Sequence, residues 1–143
     1  MRRFVEFATP DVLMEDGDRP DVPGWDLTAI WTPGHSPGHL CFWEARHQLL
    51  LSGDHVLPRI TPNIPFHAQS ATNPLSDFLH SLDKVGEYDA AEVLPAHEFR
   101  FVDLQGRLTE LRQHHQERFD EILAALEAGH TTAWQIAEHL HWS

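Results

Sequence analysis

A single cysteine, Cys41, excludes any disulfide within the chain, which fits a reducing cytoplasm better than a disulfide-stapled secreted fold. Its neighbours Leu40, Phe42 and Trp43 mark it as a small buried apolar residue rather than a nucleophile. Cations are scarce as well. Ten Lys plus Arg stand against 22 Asp plus Glu, a formal net charge of -12 that repels a phosphate backbone and makes nucleic acid a poor partner. No apolar run approaches the roughly 20 residues needed to span a bilayer. The opening Met1-Arg2-Arg3-Phe4-Val5-Glu6-Phe7 is soon interrupted by Pro10, Asp11, Glu15 and Asp16, so neither a signal peptide nor a membrane anchor is expected. Internal repeats and low-complexity tracts are also absent.

What the chain does have is core-forming material. In 143 residues, 41% are hydrophobic, with five Trp and eight Phe, enough for a globular domain. Twelve histidines are the unusual feature, because imidazole is the commonest nitrogen ligand for transition metals and titrates near neutrality.

The pattern along the chain alternates strands and helices. Residues 8–26, rich in Asp, Pro and Gly, read as loop with a short strand around Asp11 to Met14. Trp25 to Trp31 is strand-like and is stopped by Thr32-Pro33-Gly34; Leu40 to Trp43 then turns through Ala45-Arg46-His47-Gln48 into Leu49 to Ser52, a hairpin. Three prolines in residues 55–73 indicate a long loop of the kind that is more often functional than idle. Asn73-Pro74 reads as an N-cap and first turn opening a helix, with Leu75, Phe78, Leu79 and Leu82 on one face and an end near Gly86. A short strand, Ala91 to Leu94, leads into Pro95-Ala96-His97. Leu104 to Leu126 carries Leu108, Leu111, His115, Phe119, Ile122 and Leu126 at helical spacing, with Gly129 closing it, and Thr132 with Gln135 forms a capping box for a last helix, Ala133 to His141.

This order of elements should bring three distant residues together. A tight hairpin returns the chain to the sheet edge it left, so His35 before it and Asp54 after it become neighbours. A strand-helix-strand crossover leaves its two strands parallel, which places His97 beside Asp54. Two imidazoles and a carboxylate on one rim suit zinc, which takes nitrogen and anionic oxygen donors at about 2.0 to 2.2 Å. Gly34, Gly38 and Gly53 are expected to let the backbone turn tightly there. Taken singly, each signal is weak, a histidine in a Pro-Gly turn being more often a surface residue than a ligand.

As an ordered set the motifs are specific. Thr32-Pro33-Gly34-His35-Ser36-Pro37-Gly38-His39, then Leu51-Ser52-Gly53-Asp54, then Leu94-Pro95-Ala96-His97-Glu98 resembles the later motifs of the metallo-β-lactamase superfamily. The resemblance implies an α/β (α+β) fold: residues 1–103 as the C-terminal half of an αββα sandwich, and residues 104–143 as a helical tail beginning a winged-helix-like unit, which the resemblance also implies is cut short. Carried over by motif, His35 is a ligand of a first zinc ion, Asp54 the bridging and catalytic carboxylate, His97 a ligand of a second zinc, and His39 a second-shell residue. In intact relatives two metals about 3.5 to 4 Å apart activate a water and polarise the scissile group. The family's first motif, His-x-His-x-Asp-His, is absent from these 143 residues, which implies a partial or weak metal site. His139-Leu140-His141 does not replace it, since on a helix the two imidazoles point about 200° apart.

The other polar residues have plainer readings. His55 is either a second-shell or substrate contact or a solvent-facing residue at the loop mouth. His114 and His115 read as helix face and core contact, Phe66 and His67 as a substrate entrance or a stiff connection, and His47, His80 and His130 as carrying no chemistry. Glu110, Glu117, Asp120, Glu121 and Glu127 read as a solvated helix face. The functional expectation is a metal-dependent hydrolase of small-molecule esters, thioesters or lactones, present as a fragment. The alternatives are a noncatalytic remnant or interaction module, or one half of a split hydrolase. An exposed half-sandwich would recruit a protein partner or a second copy.

Overall fold

The computed structural model describes residues 9–66 and 73–141; the opening Met1 to Phe7, His67 and Trp142-Ser143 lie outside the described residues. A four-stranded sheet runs in the order β1 (Leu27–Trp31), β2 (Leu40–Glu44), β3 (Leu49–Gly53), β4 (Glu92–Pro95). The first three strands are antiparallel and β4 pairs with β3 in parallel. Helix α1 (Pro74–Val85) forms the crossover, and α2 (Leu104–Glu127) and α3 (Ala133–His139) follow.

Alternation within the strands divides the sheet into two faces. Ile30, Cys41, Leu50 and Val93 point to one side, where Phe78, Leu82 and Val85 of α1 and Leu104, Leu108 and Leu111 of α2 complete the core. The other face carries the row Ala29, Phe42, Leu51 and Leu94, paired across all four strands. Of these, only Ala29 is fully buried. A buried carboxylate, Glu44, also belongs to this face and is satisfied by the turn that follows it. It accepts from the Asp26 and His47 backbone N–H groups at 3.2 and 2.8 Å and from the His47 ring at 2.9 Å, so His47 has a structural task that the pattern did not reveal.

Helix α1 starts where its cap dictates. The Asn73 side chain accepts from the Ser76 N–H at 3.1 Å and Pro74 fills the first turn, while Gly86 closes the helix. Gly129, at φ 94°, follows the end of α2, and Thr132 and Gln135 cap α3 reciprocally. Helix α3 ends at His139, two residues earlier than expected, because Leu140 is extended at ψ 143°.

Three other expectations need correction. No strand forms around Asp11 to Met14. The edge of β1 is instead met by a turn in which Gly17, at φ 83°, donates to the Ala29 carbonyl while Ala29 donates to the Asp18 carbonyl, both at 2.8 Å. Gly38 meets open space, so no close approach requires it. Phe119 and Leu126 share the expected apolar face of α2 but are 36% and 46% exposed, because its core contacts on the sheet end at Leu111. Beyond that point α2 meets α3, where the His130 and His139 rings stack with centroids 3.7 Å apart.

Phe78 is the centre of the packing. It is fully buried, lies beneath Gly34, and sits between the rings of His55 and His115 at centroid distances of 5.0 and 5.6 Å. Burial keeps both imidazoles less basic than usual. His55 is pushed down to about 3, first by burial and then by the nearby His39. His115 is lowered by burial and by His114.

Two outcomes follow from this packing. Truncating Phe78→Ala should cost about 3–5 kcal/mol in urea unfolding, as expected for loss of a fully buried aromatic ring. Acidification should also weaken the fold. Below about pH 6.5 the unfolded chain protonates imidazoles that the folded chain keeps neutral, so stability present above that pH falls as pH approaches 3. Each unbalanced proton contributes a slope of up to about 1.4 kcal/mol per pH unit, less for the half-exposed His115. Urea midpoints between pH 7 and 5 in a chelating buffer measure this, and a His55→Phe variant should flatten the slope.

Candidate functional site

The sheet's carboxyl edge gathers the residues singled out by the motifs. A register shift between Leu51 and Gly53 ends the β3 ladder, and Ala96 donates to the Gly53 carbonyl at 2.9 Å, drawing the end of β4 alongside. Asp54 and His97 therefore leave adjacent strands at the same level. The loop that carries His35 is closed at its base by the Thr32 N–H on the His39 carbonyl, 2.9 Å. Helix α1 fixes it from below. Ser81 donates to the Pro33 carbonyl at 2.9 Å, and Gly34, at φ 140°, lies so close to Phe78 that a Cβ there would clash with the helix.

Asp54 is met from both sides. His35 Nε2 lies 3.6 Å from its Oδ2 and His97 Nε2 lies 3.1 Å from its Oδ1. The His35 ring is held by Nδ1, which donates to the Asn63 carbonyl at 2.7 Å because a carbonyl can only accept. That leaves Nε2 with its lone pair facing a carboxylate oxygen, two acceptors opposed, an arrangement that a proton or a cation between them relieves. Asp54 Oδ1 is buried and makes no hydrogen bond. Asp54 and His35 are each about one-third exposed at their side chains, and His97 is two-thirds exposed.

His39 acts on the backbone of Asp54 rather than on its carboxylate. Its Nε2 accepts from the Asp54 N–H at 3.1 Å, so the ring proton sits on Nδ1 and is donated to Thr32 Oγ1 at 2.8 Å. The Thr32 hydroxyl then points to Cys41 Sγ at 3.4 Å, and the thiol donates to the Ser52 carbonyl at 3.4 Å. Burial and the nearby His35 lower the basicity of His39, against the opposing charge of Asp54. Burial pushes the Cys41 thiol up to about 12, which leaves it a neutral link in this chain.

His55 is not at the loop mouth: it is fully buried, its ring 6.0 Å from that of His39, and neither of its nitrogens has a hydrogen-bond partner. It contributes a dry floor beneath the rim. Thr32, the Asn63 carbonyl and Phe78 complete the support. Of these, Thr32 had a signal in sequence as the residue opening the Pro-Gly-His motif and Phe78 as part of the apolar face of α1, while the Asn63 carbonyl had none. Glu98, at φ 69°, follows His97 and binds Arg59 through two guanidinium bonds of 3.0 and 2.8 Å and through the Arg59 backbone N–H at 3.2 Å.

As a metal centre the donor set is right in kind and short in number. Nitrogen and anionic oxygen donors fit zinc, and both Asp54 Oδ1, which makes no hydrogen bond, and the oriented His35 Nε2 keep an unused lone pair. Yet no group of three or more His, Cys, Asp or Glu side chains reaches metal-holding geometry among the described residues. Two imidazoles meet different oxygens of one carboxylate rather than a common point.

Comparison with known proteins identifies the family and fold. The family model described as the metallo-beta-lactamase superfamily matches residues 2–97. A lactamase-like protein, adaB, of Aspergillus niger is 34% identical over 122 residues, covering 83% of this chain and 36% of that protein. The atrochrysone carboxyl ACP thioesterase dmxR1 of a Cryptosporiopsis species is 33% identical over 114 residues, covering 80% of this chain and 33% of that protein. The chain thus spans about a third of the length of the curated relatives it matches. A metallo-beta-lactamase family protein from Thermus thermophilus superposes with a TM-score of 0.83 at 37% identity, covering 92% of this chain and 43% of that one. No helix among the described residues is long and apolar enough to cross a membrane. With the motif residues gathered at one sheet edge and a matching family model over two thirds of its length, the chain belongs to the metallo-β-lactamase superfamily.

Proposed function

We propose that this chain carries one side of the active site of a zinc-dependent hydrolase acting on small acyl substrates, esters, thioesters or lactones, in a cytoplasmic setting. The observation that supports it most is the division of Asp54 between two histidines, one imidazole on each carboxylate oxygen. In this reading His35 and Asp54 hold one zinc, His97 and Asp54 the other. When bound, zinc supplies Lewis-acid polarisation of the scissile carbonyl and a water acidic enough to attack it.

The chain's own residues do the positioning. His39 holds the Asp54 backbone, the Asn63 carbonyl holds the His35 ring, and buried His55 keeps water from beneath the rim. A net charge of -12 argues against a polyanionic substrate, and a relative named as an ACP thioesterase inclines the substrate class towards thioesters.

Two ligands for each ion are too few for a closed site. The remaining ligands come, in this reading, from a segment that packs on the second face of the sheet, where Phe42, Leu51 and Leu94 are half-buried. That apolar row also favours the second reading, an interaction module or one half of a split hydrolase that binds a protein partner or another copy there. In the same reading helix α3, capped by Thr132 and Gln135, would begin a winged-helix-like unit.

Zinc affinity measured by equilibrium dialysis tests the site. The native chain should bind zinc weakly, and Asp54→Ala should bind it at least about tenfold less tightly. Equal zinc binding in the two proteins would remove the basis for the metal centre. Turnover of p-nitrophenyl acetate and acetylthiocholine, with and without zinc, then separates the two readings: zinc-dependent hydrolysis lost in Asp54→Ala supports the enzyme, and binding without turnover supports the module.

A further inference from the structure

Between the loop at residues 59–61 and helix α2 lies a cavity of about 620 Å³. Its wall includes Arg59, Arg107, Glu110, Leu111, His114 and Arg118. Three of the chain's ten basic side chains thus meet at one cavity in a protein of net charge -12, with one carboxylate in the wall.

How these guanidiniums are held decides what they can bind. Arg107 is 11% exposed and gives Nε to the Leu57 carbonyl at 2.7 Å and Nη2 to the Ile60 carbonyl at 3.0 Å. Carbonyls orient a guanidinium without neutralising it. Its charged partner is Glu110 at 2.8 Å, which is 67% exposed and competes with water for the contact. Arg59 and Arg118 are braced by Glu98 and Glu121, neither of which lines the cavity. Planar, braced guanidiniums lose little freedom when an oxyanion arrives and can meet it through paired N–H groups. The volume lies within the range of small-molecule pockets, and Leu111 and Ile60 add apolar wall.

We propose that this cavity binds a small organic anion, a carboxylate or phosphate ester with an apolar body. Arg59 in its wall is also bonded to Glu98, the residue after His97, so cavity and rim share this pair, and an anionic end of the substrate would lodge here. This last role rests on the hydrolase reading; the anion binding does not.

Calorimetric titration with phenyl phosphate, benzoate and uncharged benzyl alcohol tests it, on the native chain and on Arg59→Gln, His114→Leu and Asp54→Ala. Saturable binding of one or both anions is expected, tightest for the ester or the carboxylate according to which chemistry the cavity prefers. It should be weakened about fivefold or more in Arg59→Gln and His114→Leu, weakened by added salt, and retained in Asp54→Ala. Amide spectra confirm that each variant is folded; Arg59 is 71% exposed at its side chain, so its replacement leaves the core untouched. Absence of saturation by about 20 mM, equal affinity for benzyl alcohol, or native affinity in both cavity variants would overturn the proposal. Binding lost in Asp54→Ala would also overturn it, by moving the anion to the histidine rim. Failure of the zinc experiment leaves this result untouched, so the two ideas fail separately.

Discussion

The site depends on the space beside Gly53. That residue has φ 53°, and the position its Cβ would take lies 2.6 Å from His39 Nε2. A side chain there would be strained in the backbone and would displace the imidazole that holds the Asp54 amide. Because Gly53 also accepts the Ala96 N–H, the same residue joins β4 to β3 and so brings His97 alongside. A single methyl group added at this corner would therefore disturb the placement of Asp54 and His97 at once, through backbone rather than side-chain contacts.

Behind that corner runs a directed line of buried polar groups, from the His39 ring through Thr32 and Cys41 to the Ser52 carbonyl. Each member donates to the next, so the tautomer of His39 follows from the acceptor at the far end. Buried polar groups are costly unless every donor and acceptor is matched, and here they match only with the proton on Nδ1. The line passes through the hydrophobic core at Cys41, which couples rim geometry to the packing of β1 against β2 and β3.

Elements with local causes were legible in the sequence. Asn73-Pro74, Gly129 and the Thr132–Gln135 box set helix ends through contacts within a few residues, and the hairpin around His47 follows from two apolar runs with a short break. The meeting of His35, Asp54 and His97 at one edge was legible too, because hairpins and crossovers constrain where strands end. Features whose partners are far away were not. Burial of His55 depends on Phe78 in the next helix, and exposure of Phe119 depends on where the sheet stops, which helical periodicity does not report. The Arg59–Glu98 pair, separated by 39 positions, left no trace in composition or spacing.

A carboxylate shared between two histidines makes their contributions interdependent. Asp54 is a single rigid group on a short stem, so a shift that improves its approach to His35 through Oδ2 changes its approach to His97 through Oδ1. The His35 ring is anchored to the Asn63 carbonyl, whereas His97 is two-thirds exposed and Glu98 beside it is braced by Arg59. The rim thus rests on two loops, the one that carries His35 and the proline-rich one, which holds the His35 ring through Asn63 and Glu98 through Arg59. Both loops reach the helices through backbone carbonyls, Pro33 to Ser81 of α1 and Leu57 and Ile60 to Arg107 of α2. The spacing across Asp54 is consequently fixed by how the two helices sit on the sheet, and a core substitution that tilts either helix should reach the rim without touching any of its side chains.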